Sequence, residues 1–127
     1  MSDLHPSAIH NARLGGLGEA RAAGFLQGLG WRVLDSRWRC RYGELDLVCL
    51  DGETVVFVEV KARGSARFGT PEEAVTFGKR SRLVYSALRY LRDKRLEERP
   101  SRFDVVAVDG AGLRHIKDAF GADGLCR

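Results

Sequence analysis

The sequence predicts a single α/β domain in which a mixed β-sheet is flanked by helices. Short runs rich in Val, Leu and Phe alternate with two longer segments whose apolar residues recur at helical spacing. An Asp-Gly pair joins two of the short runs, as in a β-hairpin. The order of elements is therefore α-β-β-β-α-β, and helices of this kind pack against the faces of a sheet.

The first half of the chain contains one helix and three strands. Residues 1–12 are polar and aperiodic, so we expect a flexible tail followed by one domain over 13–127. A helix runs from Arg13 to about Gly28, ends at Gly30, and carries apolar residues at Ala22, Phe25, Leu26 and Leu29. The strands are predicted over 31–39, 44–50 and 54–62, with the last two joined around Asp51-Gly52.

The second half adds a helix and a strand. Thr70 suits an N-cap, Pro71 suits the first helical position, and Glu73 completes a capping box. This helix runs to about Arg95, and its predicted apolar stripe contains Phe77, Val84, Leu88 and Leu91. A fourth strand covers 102–109, and the segment LRHI that follows is a candidate edge strand.

The composition is that of a globular protein with a basic balance. Of the 127 residues, 44% are hydrophobic and 30% are charged, which excludes a disordered chain. The net charge of +4 favours an anionic partner, most commonly nucleic acid. Three cysteines without CxxC spacing argue against a disulfide framework and a zinc cluster. Because no apolar run is long enough for a membrane span or a signal peptide, we expect a cytoplasmic protein with no membrane partner.

Three charged residues interrupt the two apolar strands of the hairpin: Asp46, Glu59 and Lys61. Glu59 and Lys61 are two residues apart and therefore point to the same face of their strand. A two-residue loop would set Asp46 diagonal to Glu59, and a four-residue loop would set the two directly opposite. Either register brings the carboxylates to within about 4.5 to 8 Å of each other, whereas an odd loop would separate them.

Two neighbouring carboxylates in an apolar sheet repel each other and lose hydration, so they need a compensating cation. Mg²⁺ or Mn²⁺, which prefer oxygen ligands, would supply it. Lys61 would add a charge suited to orienting or activating a water molecule. Glu19 lies at helical offsets from Ala22, Ala23 and Leu26, on the helix face expected to pack against the sheet. Taken singly, these residues have simpler explanations as an ion pair at a sheet end and a helix cap.

Basic residues surround these carboxylates in the sequence. Arg39 and Arg41 precede the strand of Asp46, and Arg63 and Arg67 follow the strand of Glu59. Lys79 shares a helical stripe with apolar residues, although a surface position is its simpler interpretation. Contacts from such residues to phosphates would give salt-dependent, sequence-tolerant binding to nucleic acid.

Several aromatic and polar residues have a less definite place. Trp31, Trp38 and Phe68 are candidates for stacking on bases, with core packing expected for the two tryptophans. Asp104 is expected to support the site or to pair with an arginine such as Arg102. His115 is expected at an edge or on the surface.

Five motifs in this order, LGxxGE, GELDLV, VFVEVKAR, FGTPEEAV and RFDVVAV, resemble those of the YraN family of small bacterial proteins. That family is similar in fold to archaeal Holliday junction resolvases. An Asp followed by EVK on the next strand is similar to the PD-(D/E)XK nuclease motif, with Leu45-Asp46 replacing Pro-Asp. The resemblance implies a restriction-endonuclease-like fold over residues 13 to 120.

The resemblance also implies roles for individual residues. Asp46 and Glu59 would be metal ligands together with the backbone carbonyl of Val60, Lys61 would be the catalytic lysine, and Glu19 would complete the site. The implied function is Mg²⁺- or Mn²⁺-dependent hydrolysis of phosphodiester bonds in DNA, including branched or unusual structures. The alternative is a non-catalytic nucleic-acid-binding module of the same fold. The sequence does not decide whether the substrate is DNA or RNA, whether it is branched or linear, or whether the protein forms a homodimer.

Overall fold

The computed structural model describes residues 17–62, 77–110 and 112–121. No helix in these ranges is both long enough and apolar enough to cross a membrane. The predicted tail over 1–12, Arg63, Arg67, Phe68 and the capping box at 70–73 lie outside the described residues. The described elements are α1 (Leu17–Gly28), β1 (Arg32–Cys40), β2 (Gly43–Asp51), β3 (Thr54–Ala62), α2 (Phe77–Asp93), β4 (Ser101–Asp109) and β5 (Gly112–Phe120).

The strands form one mixed sheet in the order β1-β2-β3-β4-β5. All neighbouring strands are antiparallel except β3 and β4, which are parallel. A parallel pair needs a crossover connection, and α2 lies within it. The predicted α/β class and order of elements are confirmed, and the architecture is consistent with a restriction-endonuclease-like core. The candidate edge segment LRHI forms part of the longer strand β5.

The hairpin between β2 and β3 has the register that favours a carboxylate pair. Leu50 pairs with Val55, the register predicted for the four-residue loop, but Asp51 also pairs with Thr54, so the loop itself is only Gly52-Glu53. Gly52 has a φ of 62°, a conformation that glycine adopts without strain at the start of a tight hairpin turn. Continued along both strands, this register sets Asp46 opposite Glu59.

One face of the sheet, the α1 face, is covered by α1. The helix buries Ala22, Ala23 and Leu26. They pack with Trp31, Val33, Leu47, Cys49, Val56, Val58, Val106 and Val108. Phe25 and Leu29, which the sequence placed on the same stripe, are 38% and 50% exposed because the buried arc of this helix is narrow.

The other face, the α2 face, is covered by α2. The helix buries Leu83, Val84, Ala87, Tyr90 and Leu91. They pack on Leu45, Val48, Val55, Phe57, Phe103, Val105 and Phe120. The prediction that Leu88 faces inward is wrong: it is 51% exposed, because it lies roughly 100° around the helix from Ala87, the centre of the buried arc.

Trp31 is buried and Trp38 packs edge-on against Tyr90 at 5.1 Å between ring centroids, so both tryptophans belong to the core as expected.

A buried charge network attaches the edge strand β5 to β4. Asp104 is fully buried and accepts hydrogen bonds from Arg102 Nε (3.0 Å) and from the Asp118 backbone N–H (2.9 Å). His115 Nε2 lies 2.8 Å from the same carboxylate. The predicted pairing of Asp104 with Arg102 is confirmed. His115 lies on an edge strand as expected, but its side chain is only 9% exposed, because it turns inward to Asp104.

Candidate functional site

A fork between β2 and β3 creates the site. Their backbone pairing ends at Leu47 and Val58, whereas β3 continues to pair with β4 as far as Ala62. Leu45 packs on the α2 face and Leu47 on the α1 face, although residues two apart in a regular strand share a face. β2 is therefore irregular at Asp46, the residue between them.

Asp46 occupies this fork. Its Oδ2 accepts a hydrogen bond of 2.9 Å from the backbone N–H of Val60. In an uninterrupted antiparallel ladder the same N–H would bond to a backbone carbonyl of β2. The carboxylate thus replaces a main-chain acceptor and fixes β3 beyond the point where backbone pairing has stopped.

Glu59 lies next to the fork on the α2 face and is 7% exposed. Its Oε2 is 3.8 Å from Lys61 Nζ and 3.2 Å from Lys79 Nζ. The interpretation of Lys79 as a surface residue is therefore wrong. The start of the described part of α2 lies over the carboxyl end of β3, and the half-buried Lys79 side chain reaches Glu59 because a buried carboxylate needs a positive partner.

Glu19 approaches from the opposite face. A Cβ added to Gly18 would come within 3.1 Å of Ala62 Cβ, so the first turn of α1 packs closely on the end of β3. Glu19 follows directly, and its charge contributes to raising the pKa of Asp46. The four predicted catalytic residues, Glu19, Asp46, Glu59 and Lys61, are thus brought together, and Lys79 joins them.

Burial sets the protonation behaviour of the two carboxylates. Burial and the charge of Glu59 raise the pKa of Asp46 from 3.8 to about 7, although the hydrogen bond from Val60 opposes them. Burial also raises the pKa of Glu59, despite the nearby ammonium groups of Lys79 and Lys61. Both carboxylates therefore hold protons more tightly than exposed ones do.

The two lysines respond in opposite directions. Burial lowers the pKa of Lys61 to about 8, assisted by the hydrogen bond with Lys79. Burial would lower the pKa of Lys79 as well, but its hydrogen bond with Lys61 and the charge of Glu59 outweigh burial and raise it. Lys61 therefore releases its proton more readily than Lys79.

The donor set fits a cation held by two carboxylates. Mg²⁺ in proteins is commonly bound by one or two carboxylates, with water completing its shell. Within the ranges that the structure describes, no group of three or more His, Cys, Asp and Glu residues is arranged to hold a metal ion. Asp46 and Glu59 are the two carboxylates available as ligands. Their raised pKa values favour protonation, and a bound cation would take the place of those protons. The Val60 carbonyl and the participation of Glu19 stay predictions.

Two of the predicted arginines lie within the described residues, Arg39 at the end of β1 and Arg41 in the turn before β2. Arg39 is exposed, and its Nε is 3.5 Å from Glu44 Oε2. Arg41 is exposed, with its Cζ 5.4 Å from the centroid of the Tyr42 ring. Their contribution to nucleic-acid binding stays a prediction.

Sequence reasoning missed a cleft next to Glu59 and an aromatic pair beside it. The cleft, of about 120 Å³, lies between the start of β2 and α2 and is lined by Gly43, Glu44, Lys79, Arg82, Leu83 and Ser86. The rings of Tyr42 and Tyr85 lie 5.5 Å apart, and both are exposed. The available signal was that Tyr85 falls outside the apolar stripe of α2 and that Tyr42 follows three arginines in five residues.

A family model described as the uncharacterised protein family UPF0102 matches residues 18–108. The chain belongs to this family. The resemblance to the YraN family is thereby confirmed, because UPF0102 is that family. The UPF0102 match includes the fork, both lysines, the cleft and the tyrosine pair.

The chain is similar to several curated UPF0102 proteins over most of its length. It is 47% identical to one from Syntrophus aciditrophicus, over 87% of this chain and 90% of the relative. It is 47% identical to one from Myxococcus xanthus, over 85% and 89% respectively. It is 45% identical to one from Rhodococcus opacus, over 87% and 98%. The name that these relatives share states no activity.

Proposed function

We propose that this protein is a metal-dependent nuclease that hydrolyses phosphodiester bonds in DNA. The observation that carries the proposal is the convergence of Asp46, Glu59 and Lys61 at the fork between β2 and β3. Two carboxylates whose pKa values are raised by partial or full burial, beside a lysine with a lowered pKa, are typical of functional sites. A DNA substrate also implies a cytoplasmic protein.

The residues at the fork have distinct roles in this proposal. Asp46, Glu59 and the Val60 carbonyl would hold a Mg²⁺ or Mn²⁺ ion. When bound, the cation supplies positive charge that stabilises the developing charge on the phosphoryl group and favours attack by water. Lys61, with its pKa lowered to about 8, positions the attacking water and, in its deprotonated form, can take up the proton of that water. Glu19 adds negative charge near Asp46 and strengthens the preference of the site for a cation.

In this proposal, Lys79 pairs with Glu59 before a cation binds and contacts a substrate phosphate afterwards. Its Nζ is 3.2 Å from Glu59 Oε2, and its side chain is 34% exposed, compared with 14% for Lys61. Being the more exposed of the two, Lys79 is able to turn from Glu59 to a substrate phosphate when a cation neutralises the carboxylate. Arg39, Arg41, Arg63 and Arg67 would guide the DNA backbone to the same place.

A second candidate function is a nucleic-acid-binding module without catalysis. The observation that favours it is the pairing of Glu59 with both Lys61 and Lys79, which balances the buried charge without a cation. Such a module would keep the basic approach to the fork and bind DNA in a salt-sensitive way. Either proposal requires a homodimer only if the substrate is branched DNA, because two coordinated cuts or contacts need two copies of the protein.

The test is cleavage of labelled single-stranded, duplex, flap and four-way-junction DNA with Mg²⁺ or Mn²⁺. We compare the wild type with Glu59→Ala, Lys61→Ala and Glu53→Ala, the last a control in the exposed turn of the same hairpin. The proposal predicts metal-dependent cutting that falls by about 100-fold or more in the first two variants and is unchanged in the control.

Other outcomes separate the two candidates. Salt-sensitive binding by a folded wild type that does not cut would replace the nuclease with the binding module. Neither cutting nor binding would contradict both. Cutting that persists in Glu59→Ala and Lys61→Ala would show that the fork is not the active site.

A further inference from the structure

The cleft next to Glu59 has the size of a subsite for part of a polymer. Its volume is about 120 Å³. Pockets that enclose whole small molecules measure roughly 300 to 1,000 Å³. The cleft is therefore too small for a complete metabolite. Because Lys79 lines it and also contacts Glu59, the cleft adjoins the candidate active site.

The charges that line the cleft suit a phosphate. Arg82 is exposed and forms no ion pair or hydrogen bond with any residue in the described part of the chain. Glu44 is the only carboxylate among the lining residues, and its Oε2 is 3.5 Å from both Arg37 Nε and Arg39 Nε. With Glu44 compensated in this way, the guanidinium of Arg82 leaves the cleft positive, and Lys79, which is paired with Glu59, adds its charge only when a cation neutralises that carboxylate.

An exposed aromatic pair is formed by the residues that directly precede two lining residues of the cleft, Gly43 and Ser86. Tyr42 and Tyr85 are 37% and 47% exposed, and their rings lie 5.5 Å apart with an interplanar angle of 35°. Arg41 Cζ lies 5.4 Å from the Tyr42 ring centroid. Exposed aromatic rings flanked by arginine are the arrangement on which unpaired bases stack.

Gly43 brings the two tyrosines together. Its φ of 148° is rare for residues with a side chain, and a Cβ there would lie 3.7 Å from Ser86 Oγ. The turn before β2 therefore lies close to α2, and Tyr42 and Tyr85, the residues before Gly43 and Ser86, meet at the surface. This contact joins residues that are far apart in the chain and outside both hydrophobic clusters.

We propose that the cleft and the Tyr42–Tyr85 pair bind an unpaired segment of a nucleic-acid strand, so that the substrate class of this site is a strand with unpaired bases beside the target phosphate. This inference rests on the proposed function. Tyr85 lies six residues after Lys79 on α2, a distance of about 9 Å. For a strand whose bases stay stacked at about 3.4 Å per nucleotide, this corresponds to two or three nucleotides. Bases within a continuous duplex are stacked inside it and cannot reach the pair.

The test measures binding without metal, so that it does not depend on catalysis. Fluorescence anisotropy in EDTA compares a short labelled single strand with a blunt-ended duplex of two complementary strands, using wild type, Tyr42→Ala, Tyr85→Ala and the two Tyr→Phe variants. Leu88→Ala is the matched control, because Leu88 is also exposed on α2 but does not line the cleft. All variants are checked for thermal unfolding.

We expect the Tyr→Ala substitutions to weaken binding of the single strand but not of the duplex. Stacking contributes about 1 to 3 kcal/mol per base, so each Tyr→Ala variant should weaken single-strand binding by about 5- to 150-fold. Duplex binding should not change, and the Tyr→Phe and Leu88→Ala variants should bind like the wild type. A 2-aminopurine placed along the strand should be quenched at one position, two or three nucleotides from the scissile phosphate.

Equal binding of the single strand by wild type and both Tyr→Ala variants would overturn this inference and leave the proposed hydrolysis unaffected. A wild-type dimer that Tyr85→Ala dissociates, with single-strand binding unchanged, would also overturn it and assign the pair to a contact between copies. Tyrosine-dependent binding without cleavage would instead support the stacking surface and reject hydrolysis. No binding of either DNA by the folded wild type would overturn the inference.

Discussion

Lys61 and Lys79 contact the same carboxylate oxygen of Glu59 but differ in character. Lys61 is 14% exposed, and burial lowers its pKa to about 8. Lys79 is 34% exposed, and its contacts raise its pKa above the ordinary value. A group that exchanges a proton with water works best with a pKa near the working pH. In the proposed reaction, this difference favours Lys61 for proton exchange and Lys79 for charge compensation.

The raised pKa of Asp46 predicts how stability depends on pH in the metal-free protein. The unfolded chain loses this proton near pH 3.8, whereas burial and Glu59 keep it on the folded protein up to about pH 7. Between these values the folded state binds more protons than the unfolded state. The free energy of unfolding should therefore fall as pH rises from about 4 to about 7, with Glu59 contributing in the same direction.

Urea unfolding in EDTA at a series of pH values measures this dependence. Asp46→Asn carries no titrating group at this position and should show a shallower fall over the same range. Glu53→Gln, in the exposed hairpin turn, should follow the wild type. An identical slope in wild type and Asp46→Asn would contradict the burial argument.

Among the secondary-structure elements, α1 depends on a residue without a side chain where it meets β3. A Cβ on Gly18 would approach Ala62 Cβ at 3.1 Å, whereas nothing lies within 4 Å of one on Gly24. Gly18→Val should lower the free energy of unfolding by about 1 to 3 kcal/mol through overpacking. Gly24→Ala should raise it by about 0.5 to 1 kcal/mol, because it favours the helix without a clash.

Chemical denaturation of both variants tests this contact, and metal-dependent cleavage provides a second readout. Displacement of the first turn of α1 should move Glu19 and reduce cleavage in Gly18→Val even where the protein stays folded. Similar stability changes in the two variants would contradict the close packing at Gly18.

The edge strand β5 depends on Asp104. The pairing between β4 and β5 shifts between Phe103 and Val105, and Asp118 in the shifted segment has a φ of 52° and donates its N–H to the Asp104 carboxylate. Asp104→Asn removes the negative charge that pairs with the guanidinium of Arg102, whose side chain is largely buried. The substitution should therefore lower the free energy of unfolding by about 3 kcal/mol.

Asp93→Asn is the control for Asp104→Asn. Asp93 forms an exposed i,i+4 pair with Arg89 at 3.1 Å, so its loss should cost about 0.5 kcal/mol or less. Urea unfolding of the two variants gives the comparison directly. Equal destabilisation would mean that the Asp104 network contributes no more than a surface ion pair.

The strands and the hairpin could be predicted from the sequence, because their signals involve only residues that are close in the chain. These signals are the alternation of apolar residues, the preference of β-branched residues for strands and the turn preference of Asp51-Gly52. They also placed Asp46 and Glu59 together, because an even register allows little else. The irregularity of β2 at Asp46 was not predictable, since it arises from the separation of two strands in the folded sheet. The Lys79–Glu59 and Tyr42–Tyr85 contacts depend on how α2 docks on the sheet, which its sequence period does not specify.

In the whole molecule, the site lies where the two covered faces of the sheet meet. The first turn of α1 packs on the end of β3 from one side, and the described part of α2 begins over the same end from the other. The fork opens between these two helices and places the carboxylates at one end of the core. The N-terminal end of α1 also provides a partial positive charge that favours anions nearby.

Titration of Mn²⁺ into the protein at pH 8, followed by calorimetry, tests the central claim most directly. The account predicts one binding site in the wild type and in Glu53→Gln, no detectable binding in Asp46→Asn or Glu59→Gln, and weaker binding at pH 5.5 because protons compete for the carboxylates. Binding that is unchanged in Asp46→Asn and Glu59→Gln, or absent from the folded wild type, would contradict the assignment of the fork as a metal-dependent active site.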